Sequence, residues 1–145
     1  MSAWPKRYAR ADAPHEMLGL IERLMRLLLT GDDPLCSVLR AQHEASHLVD
    51  LELTGVGFFA NFEVAADAAR CDPPNFVGGN AAIDIEGVEH GAGCVLFVRD
   101  GVLCFLEGYV YAGEWPEHPI VIAIRDVEPV TLHSARGTGN EGALR

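Results

Sequence analysis

His43-Glu44-Ala45-Ser46-His47 is the stretch whose residue types and spacing point most directly to chemistry. It spells HExxH, in which two imidazoles one helical turn apart hold zinc while the glutamate, as general base, activates the metal-bound water. On that reading His43 and His47 are metal ligands, Glu44 is catalytic, the cofactor is zinc and the chain is a hydrolase. The chemistry asks for more than five letters. Both imidazoles must share a helical face, a third protein ligand must reach the metal, and one position must stay open to water. No HxxGxxH extension follows, no later helical segment offers a glutamate ligand, and Arg40 stands where such helices are usually uncharged. A chain with 6 histidines and 12 glutamates also spells the motif by chance in about 2% of shuffles. Most tellingly, the apolar period changes inside the motif, from helical spacing up to Ala45 to alternation from Ser46, which separates the two histidines onto a helix end and a strand start. The plainer reading has a solvated His43, a partly buried His47, no catalytic residue, no metal and no cofactor.

Other arrangements are weaker. Gly55-Val56-Gly57 lacks the third glycine and the following helix of a dinucleotide-binding turn. Cys36, Cys71, Cys94 and Cys104 form no CxxC pair, and none stands at a recognisable helix start, so reduced and inert buried thiols are expected rather than a nucleophile or a zinc ribbon. His90, His118 and His133 fall in expected loops or the tail. The carboxylates Asp84, Glu86, Glu107, Glu114 and Glu117 could hold a cation or face a basic protein, but no DxDxDG calcium loop contains them. Their segment also carries Tyr109, Tyr111 and Trp115, residue types enriched at protein interfaces.

The elements that must position these residues follow from periodicity. Residues 1–14, with Trp4, Pro5 and Pro14 and no apolar period, read as a disordered arm. Met17, Leu18, Leu20, Ile21, Leu24, Met25, Leu27 and Leu28 recur at helical spacing and stop at Thr30-Gly31. Asp32 and Asp33 ahead of Pro34 open a shorter second helix. From Ser46 the period is two, with His47, Val49, Leu51 and Leu53 alternating against Leu48, Asp50 and Glu52. Phe58, Ala60, Phe62 and Val64 share one face of the next strand, and residues 65–80, containing Pro73, Pro74, Gly78 and Gly79, read as a long loop. Ile83 and Ile85 mark a half-buried strand. Cys94–Arg99 and Val102–Glu107 flank Asp100-Gly101, the favoured pair for a two-residue hairpin turn. Such a turn sets Arg99 opposite Val102 and, counting back, Cys94 opposite Glu107 and Cys104 opposite Phe97. Ile120, Ile122 and Ile124 form a last strand, and residues 131–145 read as a flexible tail. Helices followed by strands define an α+β class: two N-terminal helices on one face of a mostly antiparallel sheet of about five to six strands, in a single domain over residues 15–130.

Composition limits the partners. The 145 residues carry a net charge of −10, but residues 41–129 alone hold fifteen carboxylates against Arg70, Arg99 and Arg125, a local net of −12. That field repels phosphate backbones and anionic membrane surfaces, which excludes nucleic acid and membrane as partners and favours a basic protein. No apolar run approaches the roughly 18 residues of a membrane span. Lys6, Arg7 and Arg10 precede no export-type apolar core, so a cytoplasmic chain is expected.

Thr54-Gly55-Val56-Gly57-Phe58-Phe59, Gly91 to Val98, Asp100-Gly101 and Leu106-Glu107-Gly108-Tyr109 resemble segments of a group of small uncharacterised bacterial proteins, over roughly residues 35–116. The resemblance implies a cytoplasmic bacterial domain and brings no activity with it. Together these readings give an acidic, non-catalytic interaction module that docks a basic or amphipathic partner through Glu107, Tyr109, Tyr111, Glu114 and Trp115. The alternatives are the zinc hydrolase and a self-associating homo-oligomer.

Overall fold

The computed structural model describes residues 4–136. Helix α1 (His15–Leu28) buries Met17, Leu20, Ile21, Leu24, Met25 and Leu28, the stripe that three- and four-residue spacing keeps on one side. Helix α2 (Pro34–Glu44) starts where expected. Asp33 Oδ1 accepts the Leu35 amide at 2.9 Å, Pro34 occupies the first turn, and Asp33 Oδ2 accepts the Leu132 amide at 3.0 Å. Arg40 of α2 reaches back to the end of α1, donating to the Leu29 and Gly31 carbonyls that have no helical partner.

Seven strands form one sheet: β1 (Lys6–Ala9), β2 (His47–Leu53), β3 (Gly57–Glu63), β4 (Phe76–Ile85), β5 (Ala92–Arg99), β6 (Val102–Val110) and β7 (Val121–Glu128). Their order is β1-β2-β3-β6-β5-β4-β7, with every pairing antiparallel. The α+β class is therefore as expected, with seven strands instead of five or six. The added strand comes from the segment expected to be a loose arm. Lys6–Ala9 pairs with the outer edge of β2, Trp4 packs against Gly55, and the side chains of Lys6 and Tyr8 both bond to Glu117. Four residues are too few to show an alternation, which is why the strand escapes pattern reading. The tail expectation also needs correction over 131–136, where Ala135 is buried; residues 1–3 and 137–145 lie outside the described residues. The loop expected over 65–80 ends at residue 75, because β4 runs straight through Gly78 and Gly79, and its ladder to β5 shifts by one at Gly79, whose φ is +74°.

Register sorts the sheet side chains into two faces. Leu51, Leu53, Phe58, Ala60, Cys94, Leu96, Leu106 and Ile83 point to a core face and are almost wholly buried. Helix α1 contacts β4 and β7, helix α2 contacts β6, and the buried side chains of both join this same core. Two bulges decide what lies where. In β2 the ladder steps from Leu48↔Phe62 to Asp50↔Asn61, so Val49 is left out and exposed while Leu48 joins the core, against the simple alternation read from sequence. In β6 the hairpin register runs Arg99↔Val102 and Val98↔Leu103, then resumes at Phe97↔Phe105, leaving Cys104 without a partner across the ladder. Cys94 therefore faces Gly108, and neither Glu107 nor Phe97 stands where the unbroken hairpin would put it. Asp100 and Gly101 themselves form the expected turn, with φ of 54° and 79°.

Candidate functional site

The boundary between α2 and β2 falls inside the HExxH letters. His43 stands in the last turn of the helix, its side chain 12% exposed, with Nε2 3.4 Å from Glu22 Oε2 and its ring edge-on to Phe62. His47 opens the strand, 63% exposed, with Nε2 3.3 Å from Glu63 Oε1. Between them the Ser46 hydroxyl donates to the His43 carbonyl at 2.8 Å and closes the helix end. Each imidazole thus answers to a different carboxylate on a different element, and Glu44 is exposed to solvent. The shared helical face that HExxH zinc chemistry requires is not formed. Among the described residues, no three His, Cys, Asp or Glu side chains converge as a metal would need. The cysteines lack the lowered pKa of a nucleophile: all four are free, and burial pushes every thiol up, Cys94 to about 12.

The other face of the sheet is a different surface. Phe97 and Phe105, opposite one another on β5 and β6, stack with centroids 4.3 Å apart, and Phe59 on β3 meets Phe105 edge-on at 5.6 Å. Val95 and Val77 extend this row toward β4, and all five side chains are only half-buried. Both ends of the row are charged. On the β2 side Arg7 pairs with Glu52 and lies near Asp50, whose carboxylate also accepts from Asn61. On the β7 side Arg125 forms a two-pronged bond to Asp84, at 2.7 and 3.0 Å, which holds the Asp84 carboxyl below its usual pKa. The Arg99 guanidinium sits 5.8 Å from the centre of the Phe97 ring.

The five residues expected to contact a partner are divided by the fold. Glu107 lies on this open face, opposite both Phe59 and Val95. Tyr109 lies beside it, its ring filling the space left by Gly93, where any Cβ would come within 2.7 Å of the phenol oxygen. Burial, then the hydrogen bond with Tyr111, lifts the Tyr109 phenol to about 12. Tyr111, 66% exposed, stands edge-on to Tyr109, and Glu114 is exposed in the loop beyond. Trp115 must be withdrawn from the set: it is 1% exposed, packs edge-on against Phe58 at 5.0 Å, and directs its indole N–H at Met17 Sδ. A ring with that much apolar surface anchors its loop in the core. Sequence reading missed Phe59, Phe97 and Phe105 because they sit within continuous apolar runs, and only the bulge at Cys104 turns Phe105 outward.

No family model, no curated protein and no solved structure matches this chain.

Proposed function

We propose that this chain is a non-catalytic interaction module that docks a protein partner on the open face of its sheet. The observation that carries the reading is the row Phe59, Phe105 and Phe97, kept half-exposed in register by a β-bulge on a protein of net charge −10. Contiguous apolar surface with a polar rim is characteristic of protein contact sites. The partner that fits presents an apolar ridge to the phenylalanines and Lys or Arg side chains toward Glu107 and Glu114, with Tyr109 and Tyr111 at one end. Charge disfavours nucleic acid and anionic membrane in the same place. The setting, following the resemblance, is the bacterial cytoplasm, and a second copy of the chain is the competing occupant.

Paired-bait enrichment tests this, with the wild-type chain and the Phe105→Glu and Glu107→Lys variants presented to the same extract. The expected result is a basic protein held by the wild type, lost with both variants, and binding the purified chain less tightly as salt rises. Retention indifferent to Phe105 and Glu107 would overturn the reading. So would recovery of the chain itself as the sole bound species, with sizing unaffected by salt, which would favour self-association.

A further inference from the structure

On the other side of the molecule a groove of about 810 Å³ opens between α1, the end of α2 and the β2–β3 hairpin. Its floor is apolar, from Leu18, Ile21, Met25, Leu48 and Phe62. Its rim reverses the sign of the protein: Arg10, Arg26 and Arg40 stand there with His43 and His47, against only Glu22 and Glu44. Three of the chain's eleven basic side chains are thus gathered at one opening, although the whole carries −10.

Arg40 has the most specific geometry. Its Nη1 serves both carbonyls at the end of α1, Leu29 and Gly31, the latter at 3.0 Å. This fixes the half-buried guanidinium while Nε and Nη2 have no hydrogen-bond partner among the described residues. Two N–H groups on one edge of an immobilised guanidinium match a carboxylate in two-pronged geometry. The volume lies within the range of small-molecule sites.

We infer that this groove binds a small anionic amphiphile of the fatty-acid class, its acyl chain on the apolar floor and its carboxylate on the Nε–Nη2 edge of Arg40. The inference is independent of the docking face, which lies on the opposite side of the sheet's core.

Titration of the full chain with decanoate, below its micelle concentration, and with decyltrimethylammonium provides the test, followed by NMR. Decanoate should give saturable shifts of the Met25 methyl and of the His43 and His47 rings. Arg40→Lys, which keeps the charge and loses the fork, should bind at least tenfold more weakly, and Arg26→Glu several-fold more weakly. The cationic amphiphile should not saturate the same signals. Equal binding of both amphiphiles, shifts confined to Phe59, Phe97 and Phe105, or no saturable shift at Met25 would overturn the inference. Should Arg40→Lys fail to fold, exposed Arg26 decides: unchanged decanoate affinity in Arg26→Glu overturns it equally.

Discussion

The core face and the open face of the sheet are made by the same strands, alternate residues going to each, yet they obey different rules. Across β5 and β6, Leu96 and Leu106 meet on the core face with no exposure, while their immediate neighbours Val95, Phe97, Phe105 and Glu107 face the other way and stay half-exposed. On the core face each side chain fits a shape set by others; Gly108 is there because a Cβ would strike the Phe58 ring at 2.0 Å. On the open face the aromatics are large and stacked but only half removed from water. Apolar surface left half in water is available for another use, and this contrast is the basis for proposing a docking role for one face beside the stabilising role of the other.

The contrast is broken or sharpened by experiment, beginning with the core. Leu96→Ala should destabilise by about 2–5 kcal/mol in denaturant titration, whereas Val95→Ala, one residue away on the open face, should cost under about 1 kcal/mol. Equal losses would erase the distinction. Gln42 comes next. It is the one buried polar side chain among the described residues and binds the carbonyls of Ala69 and Gly101, both at 2.8 Å, and the Leu103 amide at 2.9 Å. Gln42→Leu removes all three bonds, including the acceptor of the buried Leu103 amide, while the Gly101 carbonyl keeps the Cys71 amide at 2.9 Å, and should cost about 1–3 kcal/mol. Phe105→Lys should leave stability within about 1 kcal/mol of wild type while weakening partner binding at least tenfold; unfolding instead would make Phe105 a structural residue. Smaller still is an alkaline effect. The Tyr109 phenol is raised from 10.0 to about 12 in the folded chain, so its contribution is intact below pH 10 and lost as pH climbs toward 12. Tyr109→Phe should remove that part of the alkaline decline, as read by pH-dependent unfolding. The smallest effect is expected at the HExxH letters: His47→Ala should change stability by no more than about 0.5 kcal/mol and leave the zinc content of untagged protein unaltered. Stoichiometric zinc lost on that substitution would reinstate the hydrolase.

Much of this was legible in the sequence. Spacing located both helices, Asp33-Pro34 located the start of α2, and the change of period inside the motif separated His43 from His47. The Asp100-Gly101 turn identified the central hairpin. What escaped has common physical causes. Strand β1 is too short to show a period, and its place depends on a β2 edge distant in sequence. The glycine pair at 78–79 looks like loop chemistry although it bends a continuous strand. Trp115 has an interface residue's type and a core residue's surroundings, and only packing distinguishes the two. Phe59 and Phe97 were hidden inside continuous apolar runs, and Phe105 because a bulge is invisible to alternation: one unpaired residue reverses the side every later residue takes.

The bulge at Cys104 also makes the hairpin sensitive to parity. From Phe105 onward, a residue meets core or solvent according to whether Cys104 is counted into the ladder or left out of it. Substitutions at Cys104 keep it outside the ladder whatever the new side chain, and deleting it would leave a regular hairpin with Phe105 still opposite Phe97; pairing it with Phe97 instead would turn Phe105 and Glu107 inward and Leu106 and Gly108 outward, against the ladder from β3 that holds Leu106 opposite Ala60. Cys104 should therefore accept many amino acids and even a single deletion, because the ladder from β3 holds Leu106 opposite Ala60 and Glu107 opposite Phe59 whether or not the bulge is present.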